Sequence, residues 1–137
     1  MSVFVVDANV VAKWLTPEDH SQAAERLLGG HTLLAPDIAI GEVANLLVKK
    51  VRQRQFPAER VQAGLDLALE QLVLVPSLPL VGRSTDIALR YARSVFDALY
   101  LTLAEGSSCQ CVTADRRAYD ALVADFGAHL LWIEDVP

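Results

Sequence analysis

Four acidic residues stand where carboxylates could act together: Asp7, Glu42, Asp97 and Asp115. Asp7 directly follows the apolar run Val3-Phe4-Val5-Val6, and Asp115 comes two residues after Thr113 at the end of another apolar stretch. Glu42 lies within Ile38-Ala39-Ile40-Gly41-Glu42-Val43-Ala44, and Asp97 within Val95-Phe96-Asp97-Ala98-Leu99. A carboxylate drawn into apolar surroundings is costly unless a hydrogen-bond partner, a cation or a metal offsets it. A group of them suits Mg²⁺ or Mn²⁺, hard cations that take oxygen ligands and retain several waters. Such an ion can lower the pKa of a bound water and neutralise charge on a phosphodiester, so no Ser, Cys or His nucleophile is required. The three histidines, His20, His31 and His129, fall in or beside expected loops.

Each acid also has a purely structural reading. Asp7 could cap a helix beginning near Asn9, and Asp115 could cap the helix after it. Asp97 stands three residues after Ser94, the spacing of a capping box. Glu42 could pair with Lys49 or another base on its own helix face.

These acids are positioned by alternating strands and helices. The continuous run Val3–Val6 is typical of a strand covered on both faces, as in a parallel sheet. The pattern then predicts a short helix from Asn9 to Leu15 and a second opened by Pro17-Glu18-Asp19 and reaching Leu28 before Gly29-Gly30. Further strands are expected at 32–35, 73–75, 111–113 and 130–133. Helices are expected from Pro36 to about Gln55, from Pro57 to about Leu72, from Leu80 to Arg93, from Phe96 to a stop at Gly106, and from Arg116 to Asp125. This order implies an α/β fold with a central parallel sheet flanked by helices on both faces. Functional groups of such a sheet collect at the carboxyl ends of its strands, where Asp7 and Asp115 lie.

The chain has 137 residues, 53% of them hydrophobic, and carries no Gly/Ser- or Pro-rich tract, which fits one domain over residues 1–137. The N-terminus has no basic leader and the apolar runs are too short to span a bilayer, so a cytoplasmic protein with no membrane association is expected. Cys109 and Cys111 are separated by one residue, a poor spacing for a disulfide, and are read as buried thiols in a strand. The net charge of −5 counts against nucleic acid at first, but setting the four carboxylates aside leaves −1. Lys49, Lys50, Arg52 and Arg54 form an acid-free stretch that could meet a phosphate backbone, with Arg116 and Arg117 beside Asp115.

The segments around the acids resemble a known family. Val6-Asp7-Ala8-Asn9-Val10-Val11-Ala12-Lys13-Trp14 is similar to the opening of the PIN-domain ribonucleases of the VapC toxin type. Pro36 to Asn45 resembles their second motif, Ser94 to Ala104 their third, and Val112-Thr113-Ala114-Asp115 their fourth. The resemblance implies a PIN-like fold with an acidic Mg²⁺ pocket that cleaves RNA. Asp7, Glu42, Asp97 and Asp115 match its metal-binding acids, while Asn9 and Thr113 match polar positions supporting the metal shell. It further implies a homodimer and a cognate antitoxin whose tail blocks the pocket. The Pro36–Leu72 helical pair, with its apolar and basic stripes, would suit either partner. Asp120, one turn beyond Asp115, is read as a solvated helix residue. Two other readings compete with a nuclease: a catalytically silent PIN-like binding module, and a receiver-type domain whose strand-end Asp accepts phosphate. The second lacks the late Lys such domains carry, since no Lys follows Lys50.

Overall fold

Val3–Val6 forms β1, the central strand of a five-stranded sheet in the computed structural model, which describes residues 2–137. The other strands are β2 (Thr32–Pro36), β3 (Leu72–Val75), β4 (Gln110–Thr113) and β5 (Leu130–Trp132). All neighbouring pairs are parallel, in the order β3-β2-β1-β4-β5. Phe4, Val5 and Val6 are all buried, as expected of a strand covered on both faces.

Among the described residues seven α-helices connect the strands: α1 (Ala8–Leu15), α2 (Ser21–Glu25), α3 (Ala39–Arg52), α4 (Val61–Gln71), α5 (Val81–Tyr91), α6 (Val95–Gly106) and α7 (Arg116–Phe126). The chain steps outward from β1 to β2 and β3, then crosses to the other side of β1 for β4 and β5. Because crossovers between parallel strands are right-handed, this reversal puts α1–α4 on one face and α5–α7 on the other. The packing agrees: α1 contacts α2 and α3, α3 contacts α4, and α5 lies along α6. Val10, Val11 and Leu47 fill the first layer and Ile87 the second, all essentially without exposure. Among the described residues, no helix is long and apolar enough to cross a membrane.

Three local expectations need correcting. The second helix begins at Ser21, not at Pro17. The Ser21 hydroxyl accepts from the Glu18 backbone N–H and donates to the Thr16 carbonyl, organising a turn, and His20 at φ 67 then redirects the chain. Side-chain hydrogen bonds to nearby backbone compete with helix in this way. Gly106 does not stop α6 but belongs to it; the left-handed residue is Ser108, at φ 52. Cys109 lies before β4 and is only partly buried, whereas Cys111 is buried within it; both are free thiols.

Candidate functional site

Between β1 and β4 the direction of strand addition reverses, and in open α/β sheets that switch point opens a crevice at the carboxyl ends. Asp7 leaves β1 on one side of the crevice and Asp115 follows β4 on the other. Helix α3 from one layer contributes Glu42, and α6 from the other contributes Asp97. One pocket is lined by all four acids together with Asn9 and Thr113.

The capping roles and the pocket turn out to involve the same residues. Asp7 caps α1, its Oδ1 accepting from the Val10 N–H at 3.1 Å, while its Oδ2 lies 3.5 Å from the Thr113 hydroxyl. Asp115 caps α7 through Oδ1, which accepts from the Ala118 N–H at 3.1 Å, and its Oδ2 faces the pocket. One oxygen of each carboxylate orients the side chain, leaving the second for other partners. Ser94 caps α6 by accepting from the Asp97 N–H at 3.0 Å. The Asp97 carboxylate turns toward Arg93, with Oδ2 3.9 Å from Nη2, rather than back to complete a capping box. Glu42 pairs with no base on its own helix; it accepts a short hydrogen bond from the Tyr100 hydroxyl, which crosses from the opposite layer.

Burial pushes the Asp7 carboxyl up to about 6, opposed by the N–H groups of Val10 and Asn9 and reinforced by the charges of Asp97 and Glu42. Burial likewise raises Glu42; the Tyr100 hydroxyl works against this and Asp97 adds to it. The Tyr100 hydroxyl is itself pushed up by burial and by the neighbouring Glu42. Two carboxyls disfavoured as anions by burial and by neighbouring acids would be relieved by a cation.

The fit to a divalent ion follows from the donors. Among the described residues, no three Asp, Glu, His or Cys side chains converge closely enough to hold an ion as they stand. The four acids therefore ring the pocket rather than form a closed shell, with Tyr100 bonded to Glu42 and Arg93 lying between Asp97 and Asp115. Mg²⁺ is commonly held by one or two carboxylates with several waters, so a ring of this kind suits it.

Comparison with known proteins places this geometry. The PIN domain family model matches residues 4–122. The chain belongs to the PIN-domain family. It is 32% identical to ribonuclease VapC3 of Pyrobaculum aerophilum, over 82% of this chain and 89% of that protein. A solved Pyrobaculum aerophilum protein shares the fold with a TM-score of 0.71 at 23% identity, over 98% of this chain and 93% of the other. A chain from a Klebsiella pneumoniae toxin–antitoxin complex shares it with a TM-score of 0.62 at 16% identity, over 93% and 94%.

In this PIN domain the basic residues singled out from sequence are spread over different settings. Lys49, Arg52 and Arg54 are exposed, but Lys50 pairs with Glu18 at 2.8 Å, and Glu18 also holds Lys13 at 3.2 Å. Arg116 pairs with Asp120 at 3.2 Å, on the surface and outside the pocket lining, in keeping with the reading of Asp120 as a solvated residue. Sequence reasoning assigned no role to Tyr100 or Arg93. Tyr100 could have been found: it lies three residues after Asp97 and so on the same side of α6. Arg93 carries no such signal, because it lies in the loop preceding Ser94, where periodicity does not set side-chain direction.

Proposed function

We propose that this chain is a Mg²⁺-dependent endoribonuclease, with Mn²⁺ able to substitute, and the toxin of a toxin–antitoxin pair. The observation that carries the reading is the half-buried Asp7 carboxyl at the switch-point crevice, raised to about 6 by its poor solvation, in a pocket also lined by three further acids from both helical layers. The similarity to ribonuclease VapC3 supplies the substrate class, and family membership displaces the receiver-type alternative.

Asp7, Asp97 and Asp115, with Glu42, would hold the ion; it would supply an acidified water and neutralise charge on the phosphodiester. The chain's own part is to fix donors in place. The caps of α1 and α7 orient Asp7 and Asp115, Thr113 receives the Asp115 N–H at 3.1 Å, and Tyr100 orients Glu42. Asn9 lines the same pocket and supports Asp7 through its backbone N–H. RNA cleavage should require Mg²⁺ or Mn²⁺, stop with EDTA, and be lost in Asp97→Asn with unfolding unchanged. Equal cleavage by Asp97→Asn would sink the assignment, and metal binding without any cleavage would favour the silent module.

Tyr100→Phe should leave the fold intact, since Phe fills the same space, but remove the donor that holds Glu42. Mn²⁺ affinity should fall about tenfold, the lower end of what outer-shell partners are worth. An Mn²⁺ titration checks this; unchanged affinity would show that Tyr100 does not orient a ligand.

The antitoxin partner would present a basic segment to the acidic pocket, following the similarity to a chain from a toxin–antitoxin complex. A homodimer would cover exposed apolar side chains. The most exposed are Leu78, Leu89 and Phe96, at 83%, 80% and 58%, on and around α5 and α6 rather than on the α3–α4 pair. Sedimentation of the purified chain tests the dimer.

A further inference from the structure

Arg93 is the only basic side chain among the described residues that line the acidic pocket. It follows Ala92, which caps α5 in the left-handed region at φ 54, a conformation costly for a residue with a Cβ. The Arg93 N–H donates to the Ala88 carbonyl at 3.2 Å, so the end of α5 holds this turn and the residue after it. The side chain is 20% exposed.

Its hold on the acids is loose. One nitrogen, Nη2, serves both Asp115 Oδ2 at 3.4 Å and Asp97 Oδ2 at 3.9 Å. Well-formed charge-assisted bonds are closer to 2.7–2.9 Å. Nε is buried without any hydrogen-bond partner, which folded chains normally avoid. The guanidinium thus offsets charge on two of the acids while its Nε stays without a partner. That is the condition of a counter-ion free to be exchanged.

We propose that Arg93 is a movable counter-ion of the pocket: it occupies the charge of Asp97 and Asp115 in the metal-free protein, is displaced when a divalent ion takes them, and then positions the RNA phosphate. This rests on the metal-dependent reading above. A guanidinium and a divalent cation repel one another at the same carboxylates, so an ion held by Asp97 and Asp115 would disfavour Arg93 beside them. The four acids repel a phosphodiester, and the only cationic side chain lining their pocket among the described residues is planar and able to take two phosphate oxygens at once. Arg93 is therefore a positioning residue with opposite effects on the two ligands.

The test is a pair of variants, Arg93→Gln and Arg93→Lys, in two binding measurements. Mn²⁺ alone is titrated by electron paramagnetic resonance. A fluorescein-labelled single-stranded oligoribonucleotide of mixed sequence is followed by anisotropy, with Ca²⁺ replacing Mg²⁺ to hold off cleavage. Arg93→Gln should bind Mn²⁺ more tightly, by up to about tenfold, the combined worth of two partly exposed ion pairs. The same variant should bind RNA about fivefold or more weakly, the order of one phosphate contact. Arg93→Lys, which keeps the charge, should lie nearer the wild type in both. A purely structural role would weaken both ligands together, and that result would overturn the proposal. So would unchanged Mn²⁺ affinity or unchanged RNA affinity in Arg93→Gln. Failure of the wild type itself to bind Mn²⁺ would instead overturn the metal-dependent function.

Discussion

Asp7→Asn will abolish metal-dependent cleavage while making the metal-free protein more stable near neutral pH. The loss of activity should exceed about 100-fold, because even partners outside the coordination shell are worth about 10- to 100-fold and Asp7 is proposed to lie inside it. The gain in stability comes from relieving a poorly solvated charge. In the folded chain the Asp7 carboxyl titrates at about 6, against an ordinary value of 3.8. Above pH 6 it is ionised in both states and the folded state carries the full cost, on the order of 3 kcal/mol for two pKa units. Between about pH 4 and 6 the folded chain keeps a proton that the unfolded chain releases, so the Asp7 contribution falls as pH rises through that window. Asn caps a helix as well as Asp and can keep the bond from Val10, although the lost charge at the N-terminus of α1 returns up to about 1 kcal/mol. The net expectation is a gain of about 1–2 kcal/mol at pH 7.5 that vanishes by pH 4. Denaturant unfolding in EDTA at both pH values measures it. A variant less stable than wild type at pH 7.5 would show that the Asp7 charge is already compensated without metal. Mn²⁺ should narrow or reverse the difference, since binding to the folded state alone stabilises by mass action.

Thr113→Val should disable the site from beneath. Thr113 is 5% exposed; its hydroxyl accepts the Asp115 backbone N–H at 3.1 Å and lies 3.5 Å from Asp7 Oδ2. Valine matches its shape but supplies no polar atom. The partly buried Asp115 N–H then loses its acceptor, at a cost of about 1–3 kcal/mol, and the two strand-end acids lose the group between them. Mn²⁺ affinity should drop about 10- to 100-fold and cleavage with it. Thr113→Ser, which keeps the hydroxyl, should recover most of both. If the two variants bind Mn²⁺ equally, the hydroxyl has no part in placing the acids.

Much of this arrangement is written in short-range pattern. The unbroken apolar run before Asp7 specifies a strand covered on both faces, because any alternation would leave one face wet. Polar caps at Asp7, Ser94 and Asp115 mark where α1, α6 and α7 begin, since the first N–H groups of a helix need acceptors. Those local rules were enough to place two acids at strand ends. They failed where a side chain redirected the backbone, as Ser21 does with the Glu18 N–H, or where glycine was read as a stop but continued a helix, as at Gly106.

The four carboxylates, their order and the alternation of strands and helices were determined by the sequence alone, for residue type and period are local properties. Their gathering in one pocket depended on the reversal of strand order at β1, which sends α3 and α6 to opposite faces and returns Glu42 and Asp97 to the same crevice. The partners of those acids were likewise tertiary: Tyr100 reaches Glu42 across 58 positions, and Thr113 lies by Asp7 across 106. Arg93 is the clearest case. Its charge is visible in the sequence, but only the turn at Ala92 and the packing of α5 on α6 bring it between Asp97 and Asp115, because a loop side chain takes its direction from the fold around it.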